Sequence, residues 1–184
     1  MATPVTATLE AGLDDIRRSP KDEGTVELIV RRPAENEREI LVEGTLNVAE
    51  GLVGDTWRSR GSKRTPDGSA HPEMQLNIMN ARVAALVAGD PDRWQLAGDQ
   101  LYVDLDLSES NLPPGTRLEL GSAVIEITAQ PHLGCSKFAG RFGKDAMRFV
   151  NSPIGRQFRM RGINAKVVVS GTVRVGDAVR KLPG

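Results

Sequence analysis

The sequence predicts a mainly β fold, a barrel or sandwich of short strands with a few short helices. Three observations carry this reading. About eight segments rich in Val, Ile, Leu and Thr follow one another at short spacing. Gly-Asp, Gly-Ser and Pro-Pro-Gly groups stand between them, where a reversing chain needs residues that tolerate positive φ. No βαβ alternation is visible, which argues against a doubly wound sheet.

The elements run as follows. Residues 1–20 predict a short amphipathic helix with Thr8 as cap, Leu9, Leu13 and Ile16 on one face, and Pro20 just beyond its end. The chain divides into a helical extension, 1–23, and a β-barrel domain, 24–184. TVELIVRR (25–32) and REILVEGTLNV (38–48) read as two strands around the polar turn PAENE. From Gly51 to Pro72 apolar periodicity is lost, and so long a stretch inside a small domain predicts a disordered or a functional loop. MQLNIMN (74–80) reads as a strand or buried segment, and ARVAALVAG (81–89) as a short helix closed by Gly89 and Pro91. QLYVDLDL (100–107) alternates like a half-buried strand. TRLELGSAVIEI places two strands about Gly121-Ser122, with Val124 and Ile127 as expected core positions. KDAMRFVNS (144–152) is a helix candidate, and NAKVVVSGTVRVGDAV (164–179) gives two strands around Ser170-Gly171 and then a Gly176-Asp177 turn.

Composition narrows the function classes. The chain has 184 residues, enough for one domain with a full core. Lys+Arg and Asp+Glu are both 24, so net charge calls for neither nucleic acid nor an anionic membrane as partner. A single cysteine rules out an intramolecular disulfide and favours a reducing compartment. The first residues lack an apolar stretch of signal-peptide length, and no segment reaches the run of about 20 apolar residues needed to cross a bilayer. The expected location is the cytoplasm.

The sharpest chemical feature is HLGCSKFAGRFG, residues 132–143, which follows the strand VIEIT and is read as a loop leaving a sheet edge. Cys135 is preceded by Gly134 and flanked by His132, Lys137 and Arg141. A thiol is a nucleophile or metal ligand as the thiolate, and nearby cations raise the thiolate fraction. Glycine beside it admits a bulky ligand to the backbone. Thiolate is also a soft ligand, suited to sulfur-rich metal centres. Free cysteines are often inert core residues, but those sit in apolar runs, and this one sits among polar residues and glycines. His132 is a candidate for orienting or protonating a ligand, against the plainer role of a loop histidine bonded to backbone.

The second feature is GLVGDTWRSRGSKR, residues 51–64, whose Arg58, Arg60, Lys63 and Arg64 form either a phosphate-holding loop or a solvated basic face. Arg156, Arg159 and Arg161 make a third basic set that only tertiary structure can bring to it. Gly-Asp pairs recur at 53–55, 97–99 and 175–177, each weak evidence as ordinary turn chemistry. GxGxxG, Walker A and HExxH patterns are absent, and no lysine stands in a recognisable pyridoxal-phosphate context.

Taken together, GLVGDTW, then GDQLYVDLDLSESNLPPGTRLELGSAVIEIT, then HLGCSKFAGRFG, then RGINAKVVVSGTVRVGDAV resemble in order and spacing the MOSC family, named for the domain at the C-terminus of molybdenum cofactor sulfurases. The resemblance spans residues 24–180. It implies a β-barrel in which Cys135 ligates molybdenum or carries sulfur as a persulfide. It implies molybdenum cofactor (molybdopterin) binding, with Arg58, Lys63, Arg64, His132, Gly134, Lys137 and Arg141 as candidate binding residues. Two departures stand out. The insert GSKRTPDGSAHP does not match the family segment there, and Gly134 replaces the proline common before the cysteine. The aminotransferase-like sulfurase domain and an iron–sulfur cysteine cluster have no counterpart in the sequence. The implied partners are therefore a small-molecule substrate and either a separate cysteine desulfurase or an electron-donor protein. Three readings follow: a component of a molybdenum-dependent reductase of small N-oxygenated compounds, a sulfur carrier, or a non-catalytic binding module.

Overall fold

The computed structural model describes residues 4–184. Two short helices, α1 (Thr6–Ala11) and α2 (Leu13–Arg17), open the described chain. Val5, not Thr8, occupies the N-cap position of α1, while Leu9 and Ile16 are buried as their spacing predicts. β1 (Glu23–Arg31) and the segment 38–48 follow; the latter breaks at the exposed Val42 into β2 (Glu39–Leu41) and β3 (Glu43–Asn47). The stretch read as structureless holds β4 (Gly51–Leu52) and one helical turn, α3 (Trp57–Arg60), before a loop to Pro72. That loop is tied down where Trp57 Nε1 donates to His71 O at 3.2 Å.

β5 (Leu76–Asn80) passes directly into α4 (Ala81–Ala88), because the Asn80 side chain accepts from Arg82 N and Val83 N as an N-cap. β6 (Leu101–Asp104), β7 (Arg117–Leu120) and β8 (Ala123–Ile127) come next, the last two joined at Gly121-Ser122 as expected, with Leu120 opposite Ala123. Three helices then succeed one another: α5 (Ser136–Phe142), α6 (Lys144–Asn151) and α7 (Pro153–Gln157). α6 was expected; α5 corrects the reading of 132–143 as a loop. Glycines at 134, 140 and 143 lower helix propensity there. Phe138 and Phe142, four residues apart, override it by burying fully with ring centroids 4.9 Å apart. β9 (Ile163–Val169), β10 (Gly171–Arg174) and β11 (Ala178–Lys181) complete the chain.

Seven strands close into a mixed barrel in the order β1-β11-β7-β8-β9-β5-β6 and back to β1. Closure rests on the antiparallel pairing of Glu23, Gly24 and Thr25 with Arg180, Val179 and Ala178. β5 and β6 run parallel, and α4 makes the crossover between them. β2 extends β1 at its far end, and β10, β3 and β4 form a small second sheet. No helix among the described residues is long and apolar enough to cross a membrane.

The barrel has two cores. Val26, Ile29, Leu76, Ile78, Leu101 and Val103 point inward with Leu118, Leu120, Ile125, Ile127, Ala165 and Val179. Val30, Met79 and Tyr102 leave the same strands outward and pack under the helices with Leu9, Val83, Phe138, Phe142, Phe149 and Met160. β1, β5 and β6 therefore carry buried residues on both faces, with polar residues interrupting them: Asn77 and Asn80 are buried on β5 and Glu27 is exposed on β1. This corrects the half-buried reading of 100–107. On β8 the inward positions are Ala123, Ile125 and Ile127, with Val124 half-buried on the other face. Ile127→Asp is expected to cost more than 4 kcal/mol by burying an unpaired charge. Val124→Asp is expected to cost much less, so thermal melts of the pair test the register of β8.

Candidate functional site

One end of the barrel is polar. Arg32 lies just past β1, and its guanidinium grips Asp55 through Nε and Nη2, both at 2.8 Å. Its Nη1 donates to Gly98 O at 2.9 Å and Asn77 Oδ1 at 3.2 Å. The Asn77 amide donates in turn to Asn164 Oδ1 at 2.7 Å. Both ions are buried, so their attraction is little screened by water.

A second buried ion pair lies beside it. Asp99 has no exposed surface; Arg161 Nη1 donates to its Oδ2 at 2.7 Å and His132 Nε2 lies 2.9 Å from its Oδ1. Arg161 also donates to Ala97 O at 3.0 Å and stacks over the Phe138 ring at 5.1 Å. Gly98, with φ +91, turns the chain so that Asp99 enters the interior, a conformation that L side chains resist. Burial alone would raise the Asp99 pKa, but Arg161 and then His132 more than offset it and hold it down at about 2. Burial, and after it the charge of Arg161, push the His132 pKa below its usual 6.5.

Above these pairs opens a cavity of about 600 Å³. Arg32, Arg38, Arg60, Lys137, Arg141 and Arg161 line it, with His132, Cys135, Asn77, Phe138 and a single acid, Glu35. Arg38, Arg60 and Arg141 have no carboxylate within 4.0 Å among the described residues. The Arg38 pKa is lowered by burial first and then by the charges of Arg141 and Arg32. Among the described residues, the buried Nε atoms of Arg38 and Arg161 have no partner. Such a group costs about 1–3 kcal/mol when left dry, and an oxygen of a bound anion or water would relieve it.

Cys135 stands at the edge of this space, exposed, one residue before α5. Its position is set by Asn151 on α6, whose amide clamps Gly134 from both sides: Gly134 N donates to Oδ1 and Nδ2 donates to Gly134 O, each at 2.9 Å. A Cβ at Gly134 would stand 3.0 Å from Val150 Cγ2 and 3.1 Å from Asn151 Nδ2. The glycine thus serves close packing of α6, not the approach of a ligand.

The predicted residues divide accordingly. His132, Cys135, Lys137 and Arg141 line one cavity, with Gly134 supporting them from outside. Arg58, Lys63 and Arg64 do not line it; the basic residue of that loop that does is Arg60, beside Thr56 and Ser59, because the α3 turn carries it inward. Lys63 lines a shallow hollow of its own loop. The third basic set splits: Arg161 enters the cavity, while Arg156 and Arg159 line a neighbouring one of about 490 Å³. His132 and Arg161 form the wall common to both. His132 bonds a carboxylate instead of the backbone. Sequence reasoning missed Arg32, Arg38, Asp55, Asp99 and Asn151. The recurring Gly-Asp pairs were a partial signal, since two of the three supply the acids beneath the buried arginines.

Comparisons with known proteins agree with this architecture. A family model described as MOSC domain matches residues 67–180. Among solved structures, the YuaD protein from Bacillus subtilis superposes with a TM-score of 0.59 at 16% identity, covering 85% of this chain and 94% of its own. YiiM from Escherichia coli gives 0.55 at 20% identity, covering 87% and 70%. At these identities the likeness is one of fold. No curated protein matches the sequence.

Proposed function

The chain belongs to the MOSC domain family, and from that premise we propose that its barrel end binds the molybdenum cofactor, with Cys135 as thiolate ligand to the metal. The observation that carries the reading is the pairing of a free thiol with guanidinium groups that have no counter-ion in the same cavity. Arg38, Arg60 and Arg141 would hold the anionic phosphate end, where bidentate charge-assisted hydrogen bonds suit phosphate oxygens. The partnerless Nε atoms of Arg38 and Arg161 fit an acceptor-rich ligand. Asn151 holds the backbone that presents the thiol. When bound, such a cofactor supplies two-electron redox chemistry, and the protein supplies position and electrostatics. The protein then acts as a component of a molybdenum-dependent reductase of small N-oxygenated compounds, with electrons from a separate donor protein.

Metal analysis of protein from a molybdate-supplied, cofactor-competent host tests this, with wild type beside Cys135→Ser and pterin fluorescence read on the denatured supernatant. Near-stoichiometric molybdenum and pterin in wild type, lost in the variant, is the expected result. A folded wild type without molybdenum would reject the reading.

The exposure of the thiol supports a second reading as a sulfur carrier. The Cys135 thiolate would attack the outer sulfur of a desulfurase persulfide, and the donor thiolate would depart. Intact mass would then show one added sulfur on wild type and none on Cys135→Ser.

A further inference from the structure

His132 has a defined chemical polarity. Asp99 is ionised and so only accepts hydrogen bonds; one of its oxygens is taken by Arg161 and the other faces His132 Nε2. The proton of a neutral ring must therefore sit on Nε2. Nδ1 then carries a lone pair. It has no hydrogen-bond partner among the described residues, yet it is not among the buried atoms lacking one, so it reaches open space. The ring is neutral because burial and the neighbouring Arg161 and Arg32 disfavour a second proton, with Asp99 the one nearby acid opposing them.

We infer that His132 presents its Nδ1 lone pair at the wall the two cavities share, so that a ligand reaching it from the Cys135 side must offer an N–H or O–H donor. Asp99 and Arg161 are positioning residues for this acceptor. The cavity is then divided: cationic donors at Arg38, Arg60 and Arg141 take an anion, and one neutral acceptor reads a donor group. This selects for a ligand, or a cofactor–substrate pair, with both features, and it rests on the reading that the cavity takes a ligand at Cys135. It reverses the expectation that His132 protonates a ligand, since a neutral ring with Nε2–H tied to a carboxylate has no proton to give at Nδ1.

The ring state can be read without any cofactor, which separates this inference from the cofactor-binding reading. The protein has two histidines, His71 and His132, so ¹⁵N-histidine labelling with His132→Gln as control assigns both. At pH 7 the expected spectrum of His132 is the neutral, Nε2-protonated tautomer. In Asp99→Asn the amide oxygen still accepts from Arg161 and the amide nitrogen donates to Nε2, so the proton is expected to move to Nδ1. A merely structural role for Asp99 would not invert the tautomer. Alkylating Cys135 with iodoacetamide places an amide donor in the cavity and is expected to shift the Nδ1 resonance. A charged ring at pH 7, an Nδ1-protonated wild type, or an Nδ1 signal unmoved by the adduct would each overturn the proposal. Should Asp99→Asn fail to fold, the wild-type tautomer and the adduct still decide it.

Discussion

Asp99→Ala is expected to lower stability by about 3–5 kcal/mol, because it leaves the Arg161 guanidinium buried with no counter-charge. For a chain of this size that corresponds to a fall in Tm of roughly 10 °C. Asp99→Asn keeps an acceptor for Arg161 and is expected to cost less. The same group sets the acid limb of stability. Asp99 has a folded pKa of about 2 against an unfolded 3.8, so the unfolded chain binds more protons between those values and stability falls as pH drops through them. The amount is about 2 kcal/mol. His132 acts in the same direction: its folded pKa lies below 6.5, so the unfolded chain again takes the proton first and stability declines as pH falls below about 6.5. Melts from pH 7 to pH 3 of wild type and His132→Gln separate the two. A variant that retains the decline just below pH 6.5 would remove His132 from the account.

The triple change Arg38→Gln, Arg60→Gln and Arg141→Gln is expected to abolish retention of pterin and molybdenum while shifting Tm by only a few degrees. Each charge-assisted hydrogen bond to an anion is worth about 1.5–3 kcal/mol, so three together amount to about a thousand-fold or more in affinity. The fold loses little, because among the described residues none of the three pairs with a carboxylate, and Arg38 sits in a field of like charge. The chief local loss is the 2.6 Å bond from Arg141 Nη1 to Leu96 O. Sites that bind ligands commonly trade stability in this way. The matching control, Arg58→Gln, Lys63→Gln and Arg64→Gln, is expected to leave cofactor content unchanged, because those side chains do not line the cavity. Equal losses from the two triples would overturn the assignment of the anion to this cavity.

What the sequence determined by itself is local. The strands around Gly121-Ser122, the helix closed by Gly89 and the two strands about Ser170-Gly171 follow from β-branched runs and turn residues, which act over a few positions. The lone Cys135 stood out by its polar, glycine-rich setting, and the structure places it on one cavity with His132, Lys137 and Arg141. The α5 helix was not legible, because its local propensity is poor and only the burial of Phe138 and Phe142 forms it. The site's charge pairing was not legible either. Arg32 and Asp55 lie 23 residues apart, His132 and Asp99 33, and Arg161 and Asp99 62. Nothing in their spacing marks them, because they are joined by a shared desolvated space at the barrel end and not by any period along the chain. Barrel closure decides which arginines are neutralised and which remain free for a ligand, and that decision separates Arg60 from Arg58, Lys63 and Arg64.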